Sequence, residues 1–441
     1  MKYLKLLGFL ICYIIYPFSF LFPRSKRKYV FGSFRNSFND NAKYLFIHAQ
    51  ENADKTIQYI WLSQSLKCVR QVRSIGFRAY WVLEPRGVWH ALTSKYWFFN
   101  SYTSDIMFCL SGGAICTNLW HGVGLKRIEF NVLSGPMLDR FTKKNKMDAF
   151  THPESFRHPD WLLTSTPFQT TMFAKAFRIS ESQCLELGYP RNAILTASEP
   201  KRSDFIAKYE PKETARLVDS FRKFNKIVVY MPTWRDSQRN IFTQSMDLNR
   251  LNGIMAGQNA LLVLKPHANV TLTEEIGNLS NILLTYTRMD IYPLLPYMDV
   301  LITDYSSILY DWLLMKDKDV ILYLYDLGSL SDALKTMGVG SIMGGLLSSG
   351  GKAAVGALLK LIPGVGTVVG GAISGAVGST ITFAFGEATS GTAYGIAKVR
   401  LDGNEEKAAE MMKNFGPTVL EMAKRYAKEG RKESDYVEEN I

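Results

Sequence analysis

Three short apolar runs in the second half of the chain end in the same way, and that repetition most narrows the folds open to it. Lys226 to Met231 (KIVVYM) runs into Pro232-Thr233-Trp234-Arg235. Ala260 to Leu264 (ALLVL) runs into Lys265-Pro266-His267, and Val300 to Thr303 (VLIT) into Asp304-Tyr305-Ser306-Ser307. A short apolar run bounded by turn signals reads as a strand buried on both faces. Polar residues gathered at the C-terminal ends of such strands mark the edge where an open α/β sheet binds ligands. A helix is expected from Ile308 to Met315, and Ile321 to Tyr325 reads as one more strand.

The first half carries the same alternation. Tyr29 to Ser33, Tyr59 to Leu62, Ala79 to Leu83, Tyr96 to Asn100 and Trp161 to Ser165 are apolar runs separated by helix-like or turn-rich segments. Thr166-Pro167 fits a helix start, as does Asn39-Asp40-Asn41, and Leu187 to Asn192 is a turn carrying Arg191. A polar helical linker, Lys201 to Asn225, separates the halves. The pattern predicts a parallel α/β architecture.

Between these strands, the apolar entry Ser111 to Cys116 leads into Asn118-Leu119-Trp120-His121-Gly122-Val123-Gly124-Leu125-Lys126. A histidine presented on such a loop can take a proton from an attacking hydroxyl near neutral pH. Flanking glycines let the backbone approach a ligand. In the second half, Arg235 and Lys265, with Arg191, supply positive charge for phosphates. Ser306 and Ser307 open a helix whose N–H groups suit an anion, and His267 follows Lys265 across a stiffening proline. Each has a plainer reading as core, cap or surface residue, but together they describe a pyrophosphate cradle. No P-loop or carboxylate cluster for a metal is present, and Asp304 is expected to orient its loop or the nucleotide.

Charge agrees with an anionic partner. The 441 residues hold 52 Lys and Arg against 40 Asp and Glu, a net charge of +12. On charge alone, nucleic acid, an anionic membrane and a phosphorylated substrate all qualify. Five scattered cysteines without metal-ligand spacing suggest a reduced compartment. Leu6 to Phe22 is apolar and uncharged, with Arg24, Lys26, Arg27 and Lys28 behind it. At about 17 residues it is at the short limit for a spanning helix. An interfacial anchor on an anionic membrane is expected, with a buried core helix as the plain alternative.

Residues 1 to about 327 resemble the CDP-glycerol glycerophosphotransferase family, the teichoic-acid primases and polymerases and their capsule-linked relatives. The resemblance is carried by LWHG at 119–122, GYPRN at 188–192, PTWR at 232–235, KPH at 265–267 and TDYSS at 303–307, with the DN-K element at 40–43. It implies a GT-B-like fold, two Rossmann-like domains facing a cleft: residues 29–200 for the acceptor and 201–330 for the nucleotide, behind a membrane-associating segment, 1–28. It implies transfer of glycerol phosphate from CDP-glycerol to a hydroxyl of a lipid-linked glycerol phosphate or saccharide acceptor. CMP would be released at the cytoplasmic face of a bacterial membrane, with no cofactor, metal or nucleic acid. His121 would be the base. His267, Ser306 and Ser307 would hold the donor's phosphates, with Arg235 and Lys265 nearby. Asn41, Trp120, Gly122, Lys126, Arg191, Asn192, Thr233, Thr303 and Asp304 would complete the substrate-binding set. A different donor (CDP-ribitol or a nucleotide sugar) and an inactive membrane-tethered interaction protein are the rival readings.

The chain departs from the family pattern at Val123-Gly124, where Thr-Pro is usual, and at Ala193, where an acidic residue is usual. After Asp326-Leu327 composition changes abruptly: 16 of the 33 glycines fall between Gly338 and Gly395, and Leu361 to Gly386 carries no charge. Residues 331–441 therefore read as a glycine-rich helical hairpin with a charged amphipathic tail, resembling a domain appended to some bacterial GTPases. The second Rossmann-like domain reads as truncated.

Overall fold

A computed structural model describes residues 2–323 except 53, 124–126, 134, 234–246, 266–278, 287–288 and 305, together with residues 407, 410 and 421. The expected glycine-rich hairpin, 338–395, and the amphipathic tail apart from residues 407, 410 and 421 lie outside the described residues, as do Lys126, Arg235 and His267.

Two sheets lie within one compact unit, Met1–Ile321. In the first, β1 (Ser25–Phe31), β2 (Gln58–Ser63), β3 (Ala79–Trp81), β4 (Ser94–Phe99), β5 (Ile115–Asn118), β6 (Trp161–Thr164) and β7 (Cys184–Glu186) are ordered β3-β2-β1-β4-β5-β6-β7, all parallel. In the second, β8 (Lys226–Tyr230), β9 (Ala260–Leu264), β10 (Ile282–Leu284), β11 (Val300–Thr303) and β12 (Asp319–Leu322) are ordered β10-β9-β8-β11-β12. The pairs β10/β9, β9/β8 and β8/β11 are parallel.

Alternation along the strands explains the layering. Phe31, Tyr59 and Trp61 enter one core cluster, while their neighbours Val30, Ile60 and Leu62 enter another. Side chains of period two thus feed apolar layers on both faces of the first sheet, as a doubly wound arrangement requires. The expected linker is two helices, Glu199–Tyr209 and Lys212–Phe221, whose Ile206, Val218 and Phe221 pack with Ile227 and Val229 of β8.

Each sheet has a point where strand order reverses, between β1 and β4 and between β8 and β11. The loops leaving those strands line the crevice where such folds bind ligands. They carry Ser33, Asn100 and Ser101 on one side, and Thr233 and Asp304 on the other.

The N-terminal segment forms a 17-residue helix, Lys2–Phe18. Cys12, Ile15 and Tyr16 pack on the first sheet's core, Tyr16 stacks on Phe108, and the Tyr13 hydroxyl donates to the Phe150 carbonyl at 3.0 Å. Leu10, Ile11, Ile14, Phe18, Phe20 and Leu21 remain exposed. Among the described residues no helix is long and apolar enough to cross a membrane. Arg24, expected in the basic flank, instead donates to the carbonyls of Gly112, Ala91, Ser94 and Leu110 at 2.7–2.9 Å. Lys28 donates to Thr93 Oγ1, so Lys26 and Arg27 are the exposed cations of that flank.

Candidate active site

The loop after β5 is built to present His121. Asn118 accepts the Trp120 N–H through Oδ1 at 2.9 Å and donates through Nδ2 to the Ser101 carbonyl at 2.8 Å. Asn41, in the first turn of the helix Asp40–Asn52, donates to the Trp120 carbonyl at 2.9 Å. Trp120 takes a left-handed backbone (φ 52°) while its ring is buried against Phe173 and Phe177. These constraints turn the chain sharply, so the next side chain projects over the β1/β4 switch point.

His121 Nδ1 lies 3.2 Å from the Asn100 carbonyl and 3.3 Å from Ser101 Oγ. A carbonyl only accepts, so Nδ1 carries the proton and Nε2 keeps the lone pair. The buried Asp105 carboxylate in turn accepts the N–H groups of Asn100 and Ser101 at 3.0 and 2.8 Å, fixing the carbonyl that orients the ring. Solvent reaches His121, yet protein crowds it on most sides. Burial pushes its pKa below the usual histidine value, Asp40 and the Asn100 carbonyl oppose this, and Arg191 adds to it.

Arg191 is placed differently from a phosphate-facing cation. It is buried, with Nη1 on Asp40 Oδ1 at 2.6 Å and the His121 carbonyl at 2.9 Å, and Nη2 on Asp311 Oδ2 at 2.7 Å. Its charge is therefore spent on two carboxylates. It fastens the His121 loop to the helix Ile308–Trp312 beyond β11. Its neighbour Asn192 has a buried Oδ1 without a hydrogen-bond partner among the described residues.

On the facing side, Thr233 donates its N–H to both oxygens of Asp304 at 3.0 Å and its hydroxyl to Oδ1 at 2.5 Å. Thr303 Oγ1 donates to the Met231 carbonyl at 2.7 Å. Asp304 thus ties the loop after β8 to the end of β11. Lys265 follows β9, and burial brings its pKa down to about 8, opposed by Asp290. Ser306 and Ser307 precede a helix of five residues rather than one reaching Met315, and Ser307 makes no side-chain cap.

The two sides meet at Gly122. A Cβ there would lie 2.5 Å from Ser307 Oγ and 3.1 Å from Ser307 Cβ, so any larger residue forces the Ser307 side chain to shift. The Tyr189 hydroxyl donates to the Gly122 carbonyl at 2.9 Å. Thus Asn41, Trp120, His121, Gly122, Arg191 and Ser307 form one contiguous constellation. Thr233, Thr303 and Asp304 form the second strand-end cluster.

Asp40, Asn100, Ser101, Asp105 and Asp311 are participants that motif reading did not select. Asp40 stands beside Asn41 in the DN-K element and could have been found there. Asp311 carries no local signal, because its partner lies 120 residues away.

The family described as CDP-Glycerol:Poly(glycerophosphate) glycerophosphotransferase matches residues 14–338. A teichoic acid glycerol-phosphate transferase of Staphylococcus aureus is 30% identical over 323 residues, covering 70% of this chain and 77% of the relative. A teichoic acid poly(glycerol phosphate) polymerase of Bacillus spizizenii is 26% identical over 344 residues, covering 76% and 83%. Among solved structures, a wall teichoic acid polymerase, TagF, shares the fold with a TM-score of 0.56 at 22% identity, covering 74% of this chain and 79% of that one.

Proposed function

The chain belongs to the CDP-Glycerol:Poly(glycerophosphate) glycerophosphotransferase family, and we propose that it transfers glycerol phosphate from CDP-glycerol to a hydroxyl of a membrane-linked acceptor. CMP is released, and the product belongs to a teichoic-acid or capsule-type polymer. The observation that carries the reading is His121, with Nδ1 committed to Asn100 and Nε2 able to accept a proton, beside the Gly122–Ser307 contact.

In this mechanism Nε2 removes the acceptor hydroxyl's proton as the oxygen attacks the donor's β-phosphorus. A new O–P bond forms, the bond from that phosphorus to the bridging oxygen breaks, and CMP carries the electron pair away. Charge spreads over the phosphoryl oxygens, so fixed donors contribute most. Ser306, Ser307 and Lys265 are assigned to the donor, as are Arg235 and His267, while Thr233, its N–H and hydroxyl both on Asp304, shapes the loop beside them. Lys265, with its pKa near 8, is mostly protonated at neutral pH, and a bound phosphate favours that charge further.

The test is incubation of purified protein with CDP-glycerol and a lipid-linked acceptor, with CMP measured and CDP-ribitol as the competing donor. Acceptor-dependent CMP from CDP-glycerol is expected. Release from CDP-ribitol alone, or from neither, overturns the assignment.

Gly122→Ala should lower the rate of CMP release about 100-fold, because a displacement near 1 Å between reacting groups has that effect. Because Ser307 is itself assigned to the donor, Ser307→Gly in the same chain should recover any melting temperature that Gly122→Ala loses, by removing the clashing atoms, without restoring the rate. Failure of the second substitution to help would remove the steric explanation.

The exposed apolar face of the helix Lys2–Phe18, next to Lys26 and Arg27, supports peripheral attachment to the cytoplasmic face of the bacterial cell membrane. Leu10→Asp with Ile14→Asp should abolish co-sedimentation with anionic vesicles while leaving the melting temperature nearly unchanged. Undiminished sedimentation would exclude this face as the anchor.

A further inference from the structure

The loop between β1 and the helix Asp40–Asn52 has no assigned role, yet it stands beside His121. Phe34 is 46% exposed, although the preceding residues Phe31 to Ser33 are buried. Its ring lies nearly parallel to the imidazole of His121, 15° between planes and 6.3 Å between centroids. The Arg35 guanidinium sits over the same phenyl ring at 5.0 Å.

The backbone here is strained. Arg35 and Asn36 both take left-handed conformations, each with φ 56°, and Asp40 has φ 60°. Asparagine tolerates that region, whereas arginine rarely enters it. Such strain persists only where surrounding structure imposes it, and it concentrates at functional sites. Here Asn36 Oδ1 accepts the Gln64 N–H at 2.7 Å, and Asn100 Nδ2 donates to Ser33 Oγ at 2.7 Å. Asn100 is also the residue whose carbonyl orients His121. One side chain therefore holds the loop and its backbone holds the base, so Phe34 and Arg35 keep a fixed place relative to the reacting nitrogen.

We infer that Phe34 and Arg35 form the subsite for the acceptor's end, taking a polyol joined by a phosphodiester. The chemistry matches the two side chains. A phenyl face suits the C–H side of a short polyol lying next to the base. A guanidinium binds a phosphodiester through paired N–H groups. Both residues share the first sheet with His121, whereas the donor is assigned to loops of the second. The inference rests on the transferase reading and adds to it the residues that recognise the acceptor.

The experiment compares wild type with Arg35→Ala, Arg35→Lys and Phe34→Leu. Initial rates give KM for acceptor and for CDP-glycerol, and calorimetry measures binding of a synthetic glycerol-phosphate oligomer without donor. Arg35→Ala should raise the acceptor KM and weaken oligomer binding about 10-fold or more, as loss of a hydrogen-bonded charge does. Arg35→Lys should recover part of that loss, Phe34→Leu should weaken both less, and the CDP-glycerol KM should stay the same. Melting temperatures check that each variant is folded. Unchanged oligomer binding in the three variants, no binding to wild type, or a parallel rise in the CDP-glycerol KM overturns the inference. Absence of transfer by wild type with oligomer binding still lost in Arg35→Ala would defeat the transferase reading and leave the subsite standing.

Discussion

His121→Ala should reduce CMP release roughly 100- to 10,000-fold, the contribution expected of a positioned general base, while the protein stays folded. The fold survives because the loop's shape does not depend on the imidazole. Asn41 and Asn118 hold its backbone, and Trp120 anchors it in the core. The chemistry fails because no other group within the described constellation offers an unprotonated nitrogen at that place. The pH dependence follows from the same surroundings. Burial comes first and holds the imidazole below its ordinary pKa, with Arg191 acting in the same direction against Asp40 and the Asn100 carbonyl. A base must be unprotonated, so wild-type kcat/KM should climb on the acid side with a midpoint below about 6.5 and be level near pH 7. A midpoint above 7, or a variant retaining a tenth of the activity, would remove His121 from the base's role.

Lys43→Met should destabilise the protein by about 3–5 kcal/mol, the usual consequence of breaking a buried ion pair by removing one partner. Lys43 is fully buried, and its ammonium contacts Glu210 and Asp290, the latter at 2.8 Å, while the Tyr44 hydroxyl also donates to Asp290. Three distant segments converge there: the helix Asp40–Asn52, the turn between the linker helices, and the stretch before β11. Methionine fills similar volume but leaves two carboxylates buried without their counter-charge. The melting temperature should fall by about 10 °C, taking 2–4 °C per kcal/mol for a domain of this size.

The sign with pH distinguishes lost charge from lost packing. Burial already raises the Glu210 pKa to about 7, opposed by Lys43 and reinforced by Asp290. Without Lys43 that carboxyl is raised further. A group with a raised folded-state pKa adds stability at low pH, and loses it as pH climbs through that value. The variant should therefore recover towards wild type at pH 5 and lag most above pH 7. A deficit equal at both pH values would assign the loss to packing. A deficit under 2 °C would show that the triad adds no net stability.

Much of this protein was legible from local pattern. The runs Ala260 to Leu264 and Val300 to Thr303 are β9 and β11 without adjustment. Thr166 caps the expected helix by accepting the Gln169 N–H. These succeed because a strand buried on both faces needs a continuous apolar run, and a cap needs one side chain at one place. The three-residue strands β7 and β10 escaped because so short a run has no period to detect, whereas the equally short β3 was found inside the longer apolar run Ala79 to Leu83. The His121 loop and the family motifs were likewise readable as residue types in order.

What tertiary structure alone decided is where the charges go. From their residue types, Arg24, Lys43 and Arg191 are three cations on a basic chain. In the fold Arg24 closes four backbone carbonyls, Lys43 holds a buried junction, and Arg191 bridges Asp40 and Asp311. Hydrophobic periodicity is a property of neighbours in sequence, so one chain displays it. An ion pair belongs to two residues brought together from more than a hundred positions apart, and their partnership exists only once the sheets have packed.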